Sequence, residues 1–119
     1  MNFPFSIPLR IVVTLTAGLA ILIAVFTLSP PPEEPGPAGI DKLFHALAFA
    51  ILVLPLSLHS PRALVWLIPA AAIFGGAIEL IQPSVGRGRE FMDFVADLAG
   101  VGLGAFIGLF FRRKLLRTD

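Results

Sequence analysis

The chain has 119 residues, of which 56% are hydrophobic and only 14% are charged. Because an average soluble domain carries roughly 25% charged residues, this balance indicates a small integral membrane protein without room for a separate soluble domain. The chain contains no cysteine, which excludes disulfides, thiol nucleophiles and zinc–thiolate sites. No basic tract is interleaved with aromatic residues, so nucleic-acid binding is not expected.

Four apolar segments are long enough to cross a bilayer, since a membrane-spanning helix needs about 20 residues. They predict an all-α membrane protein, a single domain over residues 1–119 built as a bundle of four transmembrane helices. The predicted helices lie at about 9–28, 41–58, 63–82 and 92–111. The first apolar run is longer than the roughly 7–15 residues of a signal-peptide core, and we interpret it as an uncleaved anchor.

The basic residues predict the orientation of the bundle. With an even number of spans, both termini share one side, and that side carries six lysines and arginines against three on the other. The six are Arg10, Arg62, Arg112, Arg113, Lys114 and Arg117, and the three are Lys42, Arg87 and Arg89. The positive-inside rule then places both termini in the cytoplasm and the protein in the plasma (inner) membrane.

Polar residues concentrate at the predicted extracytoplasmic ends of the last three helices. A charge at membrane depth costs about 2.5–3.5 kcal/mol on insertion scales, and such residues usually mark a functional site. Asp41 suits a helix N-cap, and His45 follows four residues later on the same face. The predicted ligand-binding residues are Asp41, Lys42, His45, Glu79, Gln82, Arg87, Arg89, Asp93 and Asp97.

Each part of this polar group also has a structural explanation. Gln82 suits an interfacial cap, and His45 suits an interfacial position. Arg87 and Arg89 suit either an anionic ligand, because guanidinium forks match carboxylates and phosphates, or ion pairs that neutralise the nearby acidic residues. The two roles are compatible in one pocket.

Glycines predict close helix packing. Gly75 and Gly76 lie one turn before Glu79, and three further glycines of the fourth helix follow the small-xxx-small pattern. These three are Gly100, Gly104 and Gly108. The stripe serves packing inside the chain or in a homo-oligomer, and it turns the two aspartates of that helix toward protein.

Three segments resemble the VanZ-like family of small membrane proteins: DKLFHALAFA at 41–50, GGAIELIQ at 75–82 and GRGREFMDFVADLAGVGLG at 86–104. The family pattern is DK-x-x-H, then E-x-x-Q, then an arginine before D-x-x-x-N-x-x-G-x-x-x-G. The resemblance implies importance for Asp41, Lys42, His45, Glu79, Gln82, Arg89, Asp93, Gly100 and Gly104. The chain departs from the pattern at Asp97, where the family has asparagine. Asp97 is then either protonated or paired with Arg89 or His45.

The family is named for a protein linked to reduced teicoplanin susceptibility, so the resemblance implies a role at the cell envelope. The first hypothesis is a non-enzymatic module that binds a membrane lipid headgroup, a lipid-linked cell-wall intermediate or a lipoglycopeptide antibiotic. Arg89, Arg87 and Lys42 would hold an anion.

Two alternatives stay open. One is an intramembrane enzyme acting on a lipid phosphate, with His45 and Glu79 as acid–base groups. The other is a structural or regulatory membrane subunit. No cofactor is expected and no metal ligand is assigned, although His45 with Glu79, Asp93 and Asp97 is a plausible ligand set under the enzyme hypothesis.

Overall fold

The computed structural model describes residues 7–34, 36–88 and 90–116. They form four long helices, α1 (Leu9–Thr27), α2 (Ile40–His59), α3 (Leu64–Ile81) and α4 (Phe91–Leu116), and the described ranges contain no strand. Short 3-10 turns at Pro61–Ala63 and Gln82–Val85 flank α3. All four helical segments are long and apolar enough to cross a membrane. The predicted all-α architecture is therefore confirmed, with four helices of the length and apolarity that crossing a membrane requires.

The helix ends differ from the prediction at two places. α2 begins at Ile40, because Gly39 adopts the left-handed conformation with φ of 82° immediately before it. Asp41 is therefore in the first turn and makes no N-cap, so that prediction was wrong; its carboxylate still lies near the positive end of the helix dipole. α4 runs five residues past position 111 to Leu116, since arginine and lysine are good helix formers and continue it.

The glycine stripe of α4 lies against the backbone of α2. A Cβ added to Gly100 would overlap the carbonyl oxygen of Ala46, and one added to Gly104 would overlap that of Ala50. Because the obstacle is backbone, a side chain at either position would force the helices apart. The stripe is therefore used for packing inside the chain, and it brings the polar ends of α2 and α4 into contact.

α3 approaches the same helix pair through Gly75. A Cβ at this position would lie 3.0 Å from Asp97 Oδ2 and 3.4 Å from Phe49 Cε1. At Gly76 an added Cβ would meet Phe94 at 3.7 Å, which is an ordinary contact. The close helix approach predicted for both glycines is thus found at Gly75 alone.

The outward faces of the bundle are apolar. Val65 is 81% exposed, Ile73 is 73% exposed and Phe106 is 69% exposed. Soluble monomers rarely present contiguous apolar surface of this kind, whereas lipid tails are as apolar as leucine. α1 packs mainly on α2, so much of its apolar surface is left exposed on the outside of the bundle.

Side-chain to backbone hydrogen bonds tie the helices together at each end. At one end Arg112 Nη1 donates to the carbonyl oxygens of Leu58 at 2.7 Å and His59 at 2.8 Å. At the other end Gln82 Nε2 donates to the Thr27 carbonyl oxygen at 3.1 Å. The second end carries the connector from α1 to α2 and the turn from α3 to α4, and the described members of the predicted site lie there.

Candidate functional site

A buried histidine–aspartate pair lies at the centre of the polar end. His45 Nδ1 is 2.7 Å from Asp97 Oδ1, and His45 Nε2 is 3.9 Å from Asp93 Oδ2. Asp93 and Asp97 are four residues apart, so both lie on the face of α4 that meets α2. The close contact of the α4 glycine stripe with α2 therefore brings His45, Asp93 and Asp97 next to one another.

Lys42 binds a separate, more exposed group of carboxylates. Its Nζ lies 2.5 Å from Glu90 Oε2, 3.4 Å from Asp93 Oδ1 and 3.8 Å from Asp41 Oδ2. Three carboxylates therefore surround this one ammonium group. Glu90 was missed by the sequence analysis, because a single acid in a glycine-rich loop carries no periodicity that would show where its side chain lies.

Glu79 reaches the buried pair from α3. Its Oε2 accepts a hydrogen bond from the Glu90 backbone N–H at 3.3 Å, which links it to the α3–α4 turn. His45, Glu79 and Asp97 each offer one nitrogen or oxygen ligand atom, and these atoms all lie within 4.8 Å of one another. We call these three residues the buried triad.

Gln82 and Arg87 hold the end of α1. Arg87 Nε donates to the Ser29 carbonyl oxygen at 2.7 Å, and its Nη2 donates to that of Phe26 at 3.4 Å. Ion pairs of Arg87 with Glu79, Asp93 or Asp97, one of the two predicted roles, do not occur among the described residues. Phe26 lies in the last turn of α1, where carbonyl groups have no partner within the helix, and Ser29 follows just after the helix end.

Eight of the nine predicted site residues fall into three groups, and the ninth, Arg89, lies outside the described residues. Three form the buried triad, three form the Lys42 group, and two contact the end of α1. The predicted members of the Lys42 group are Lys42 itself, Asp41 and Asp93. The Lys42 group carries Glu90 as an additional member.

Two cavities meet at this end of the bundle. The larger, of about 500 Å³, opens between α1 and α2 and is lined mainly by apolar side chains such as Leu22, Phe44 and Ala48. The smaller, of about 160 Å³, is polar and is lined by residues that include Gln82, Glu90 and Asp93. Both cavities are bordered by Asp41, His45 and Arg87. An apolar groove therefore continues into a polar pocket.

The charge of this end is predominantly negative in the described part of the chain. Two clusters at this end contain five carboxylates, those of Asp41, Glu79, Glu90, Asp93 and Asp97. The described cationic partners of these carboxylates are Lys42 and, when protonated, His45. The polar pocket is therefore better suited to a positively charged group or a hydrogen-bond donor than to a simple anion.

Comparisons with models of protein families, with curated proteins and with solved structures find no match to this chain. The resemblance to the VanZ-like family stays a prediction from the three sequence segments.

Proposed function

We propose that this protein binds a membrane amphiphile without transforming it. The hydrocarbon chain lies in the apolar groove between α1 and α2, and the headgroup lies in the adjoining polar pocket. The observation that carries this proposal is the shared border of the two cavities at Asp41, His45 and Arg87. A ligand with one apolar and one polar part matches both surfaces at once.

The groove has the size and position that an acyl or isoprenyl chain needs. Ligand pockets typically enclose about 300–1,000 Å³, and this cavity measures about 500 Å³. Phe26 of α1 and Phe44 of α2 line it and are both more than half exposed. Because these walls face the lipid phase, a chain can enter sideways from the bilayer.

The polar pocket favours a zwitterionic headgroup. Arg87 makes two hydrogen bonds to carbonyl oxygens, and a guanidinium group has five N–H donors, so donors remain for a phosphate. Asp41 borders the same pocket and lies 3.8 Å from Lys42 Nζ, beyond hydrogen-bond distance, so its carboxylate suits a ligand ammonium group. Phosphatidylethanolamine has this pairing of charges, and amine-bearing lipid-linked cell-wall intermediates and lipoglycopeptides such as teicoplanin share part of it.

We place the pocket at the extracytoplasmic face of the plasma membrane, with both termini in the cytoplasm. The distribution of lysine and arginine, six against three, supports this orientation. The VanZ-like sequence pattern supports a role at the cell envelope in the same way.

A groove-filling variant tests the proposal. Ala48→Trp puts an indole into the groove, whereas Ile73→Trp adds the same side chain on an exposed lipid-facing surface of α3. Native mass spectrometry of the purified protein measures retained phosphatidylethanolamine, phosphatidylglycerol and teicoplanin. We expect the unmodified chain and Ile73→Trp to retain phosphatidylethanolamine preferentially and Ala48→Trp to lose it. Equal retention by all three proteins would refute the proposal.

One observation favours a second candidate, an intramembrane enzyme acting on a lipid phosphate. His45 borders the pocket proposed for the headgroup and is hydrogen-bonded to Asp97, and a histidine held in this way suits general acid–base work. Release of inorganic phosphate from lipid phosphates in reconstituted vesicles distinguishes the two functions. Turnover by the unmodified protein that disappears in His45→Gln would establish the enzyme. If the unmodified protein shows no turnover, the binding function remains as the proposal.

A further inference from the structure

We propose that the buried triad, His45, Glu79 and Asp97, holds a divalent transition-metal ion between α2, α3 and α4. This site goes beyond amphiphile binding and does not depend on it, since the three side chains are supplied by the protein alone. The three residues come from three different helices, so the ion would also join the helices at this end.

The geometry is close to that of a metal site. The ligand atoms lie within 4.8 Å of one another, and two ligands of one ion with bonds of about 2.0–2.2 Å are at most about 4.4 Å apart. A small side-chain adjustment closes this difference. His45 Nδ1 lies 2.7 Å from Asp97 Oδ1, so Nδ1 is the ring nitrogen on the side of the proposed ion. A metal-bound histidine usually directs its second ring N–H to a carboxylate, and here Nε2 faces Asp93 Oδ2 at 3.9 Å.

Unpartnered oxygens point to a ligand at this place. Glu79 Oε1 and Asp97 Oδ2 are buried and accept no hydrogen bond from the described residues. The two side chains are only 6% and 1% exposed, and more than about 90% of buried polar groups in proteins have a partner. Each triad carboxylate therefore has one oxygen free to ligate.

The position of Gly75 shows where the free aspartate oxygen is directed. A Cβ at Gly75 would lie 3.0 Å from Asp97 Oδ2, so this oxygen faces α3. Gly75 and Glu79 are four residues apart and share one face of that helix. The free oxygen of Asp97 is thus directed to the helix face that carries Glu79.

The second acidic group at this end differs from the buried triad because it already has a cationic partner. Asp41, Glu90 and Asp93 also have ligand atoms within 4.8 Å of one another, but Lys42 Nζ already lies among them. No lysine or arginine among the described residues pairs with the triad carboxylates. Uncompensated charge is costly at membrane depth, and a divalent ion supplies the missing positive charge.

The ligand set selects the class of metal. Imidazole with carboxylates suits transition metals such as Zn²⁺, whereas Mg²⁺ and Ca²⁺ take oxygen ligands. We therefore expect Zn²⁺ and its spectroscopic substitute Co²⁺ to bind, and Mg²⁺ to compete poorly.

Metal titration of the full chain in detergent tests the inference. Chelator-treated protein is titrated with Zn²⁺ and Co²⁺, and metal content is measured after desalting, together with the visible spectrum of Co²⁺. We expect one ion per chain and affinity at least about tenfold weaker in Glu79→Gln and His45→Gln, as for the loss of groups that support a metal. Glu90→Gln, which alters the Lys42 group, serves as the matched control and should keep the ion.

A further variant controls for the possibility that a ligand substitution prevents the protein from folding. Gly75→Ala keeps all three ligands but crowds Asp97 Oδ2, and it should weaken Co²⁺ binding while the helical circular dichroism stays unchanged. The inference is overturned if the folded unmodified protein takes up no Zn²⁺ or Co²⁺, or if Glu79→Gln and Glu90→Gln bind the ion equally well. Neither result bears on amphiphile binding, because these titrations are made without added lipid.

Discussion

Asp97 is 1% exposed and hydrogen-bonded to His45 inside the helix bundle. The sequence left three states open for it, namely protonation, pairing with Arg89 and pairing with His45. The structure shows the contact with His45, at 2.7 Å. A hydrogen bond with a charged partner contributes about 1.5–3 kcal/mol, roughly twice a neutral one. The pair therefore both stabilises the bundle and orients the histidine ring.

Substitutions at position 97 separate these two contributions. We expect Asp97→Ala to lower the free energy of unfolding by about 1.5–3 kcal/mol, because it removes the acceptor and leaves the buried His45 nitrogen without a partner. Asp97→Asn should lose less, since its amide oxygen still accepts a hydrogen bond from Nδ1. Unfolding of chelator-treated protein in mixed micelles measures both. Equal losses in the two variants would contradict the assigned hydrogen bond.

Much of the polar end could be predicted from spacing along helices. Asp93 and Asp97 are four residues apart, and so are Asp41 and His45, which places each pair on one face. Arg87 could not be placed in the same way, because the α3–α4 turn has no periodicity. Its guanidinium group donates to the carbonyl oxygens of Ser29 and Phe26. The sequence alone does not show whether an arginine pairs with backbone carbonyl groups or with carboxylates.

At the scale of elements, the contact of α2 with α4 sets the position of the site. Gly100 and Gly104 allow the α2 backbone to come close enough for His45 to reach Asp97. The small-xxx-small spacing predicted close packing of α4 against another helix, because this spacing is visible in the local sequence. The choice of α2 as the partner was not predictable, since any of the other helices could have faced the stripe.

Adding one methyl group to the stripe tests its role. An alanine Cβ at position 104 would lie 2.9 Å from both Ala50 Cα and Val53 Cγ2, and overpacking of this kind costs about 1–3 kcal/mol. Gly102 has no atom within 4 Å of an added Cβ, so Gly102→Ala should instead stabilise the helix by up to about 1 kcal/mol. Unfolding free energies in micelles compare the two variants. A neutral Gly104→Ala, or the same change at both positions, would contradict the packing.

The whole molecule is a bundle whose two ends differ. One end carries the carboxylates and both cavities described above, and the other carries Arg112 with the α2–α3 turn. The number of long apolar helices could be predicted from hydropathy, because each corresponds to one long apolar run in the sequence. The groove between α1 and α2 could not be predicted from hydropathy. A cavity depends on how closely the helices pack, and apolar composition does not determine the packing distance.

Accessibility of introduced cysteines tests the proposed orientation. The chain has no native cysteine, so Ser84→Cys in the α3–α4 turn and Ser60→Cys in the α2–α3 turn each provide a single thiol. We expect a membrane-impermeant maleimide to label Ser84→Cys in intact cells and Ser60→Cys only after permeabilisation. The reverse pattern would place the polar pocket in the cytoplasm.

Photo-crosslinking tests whether the groove and the polar pocket together hold an amphiphile. A phosphatidylethanolamine carrying a diazirine on its acyl chain is reconstituted with the protein, and the modified residues are mapped by mass spectrometry. We expect modification to concentrate on the groove residues Leu22, Phe44 and Ala48. Modification spread evenly over these and the exposed lipid-facing residues Val65, Ile73 and Phe106 would contradict it.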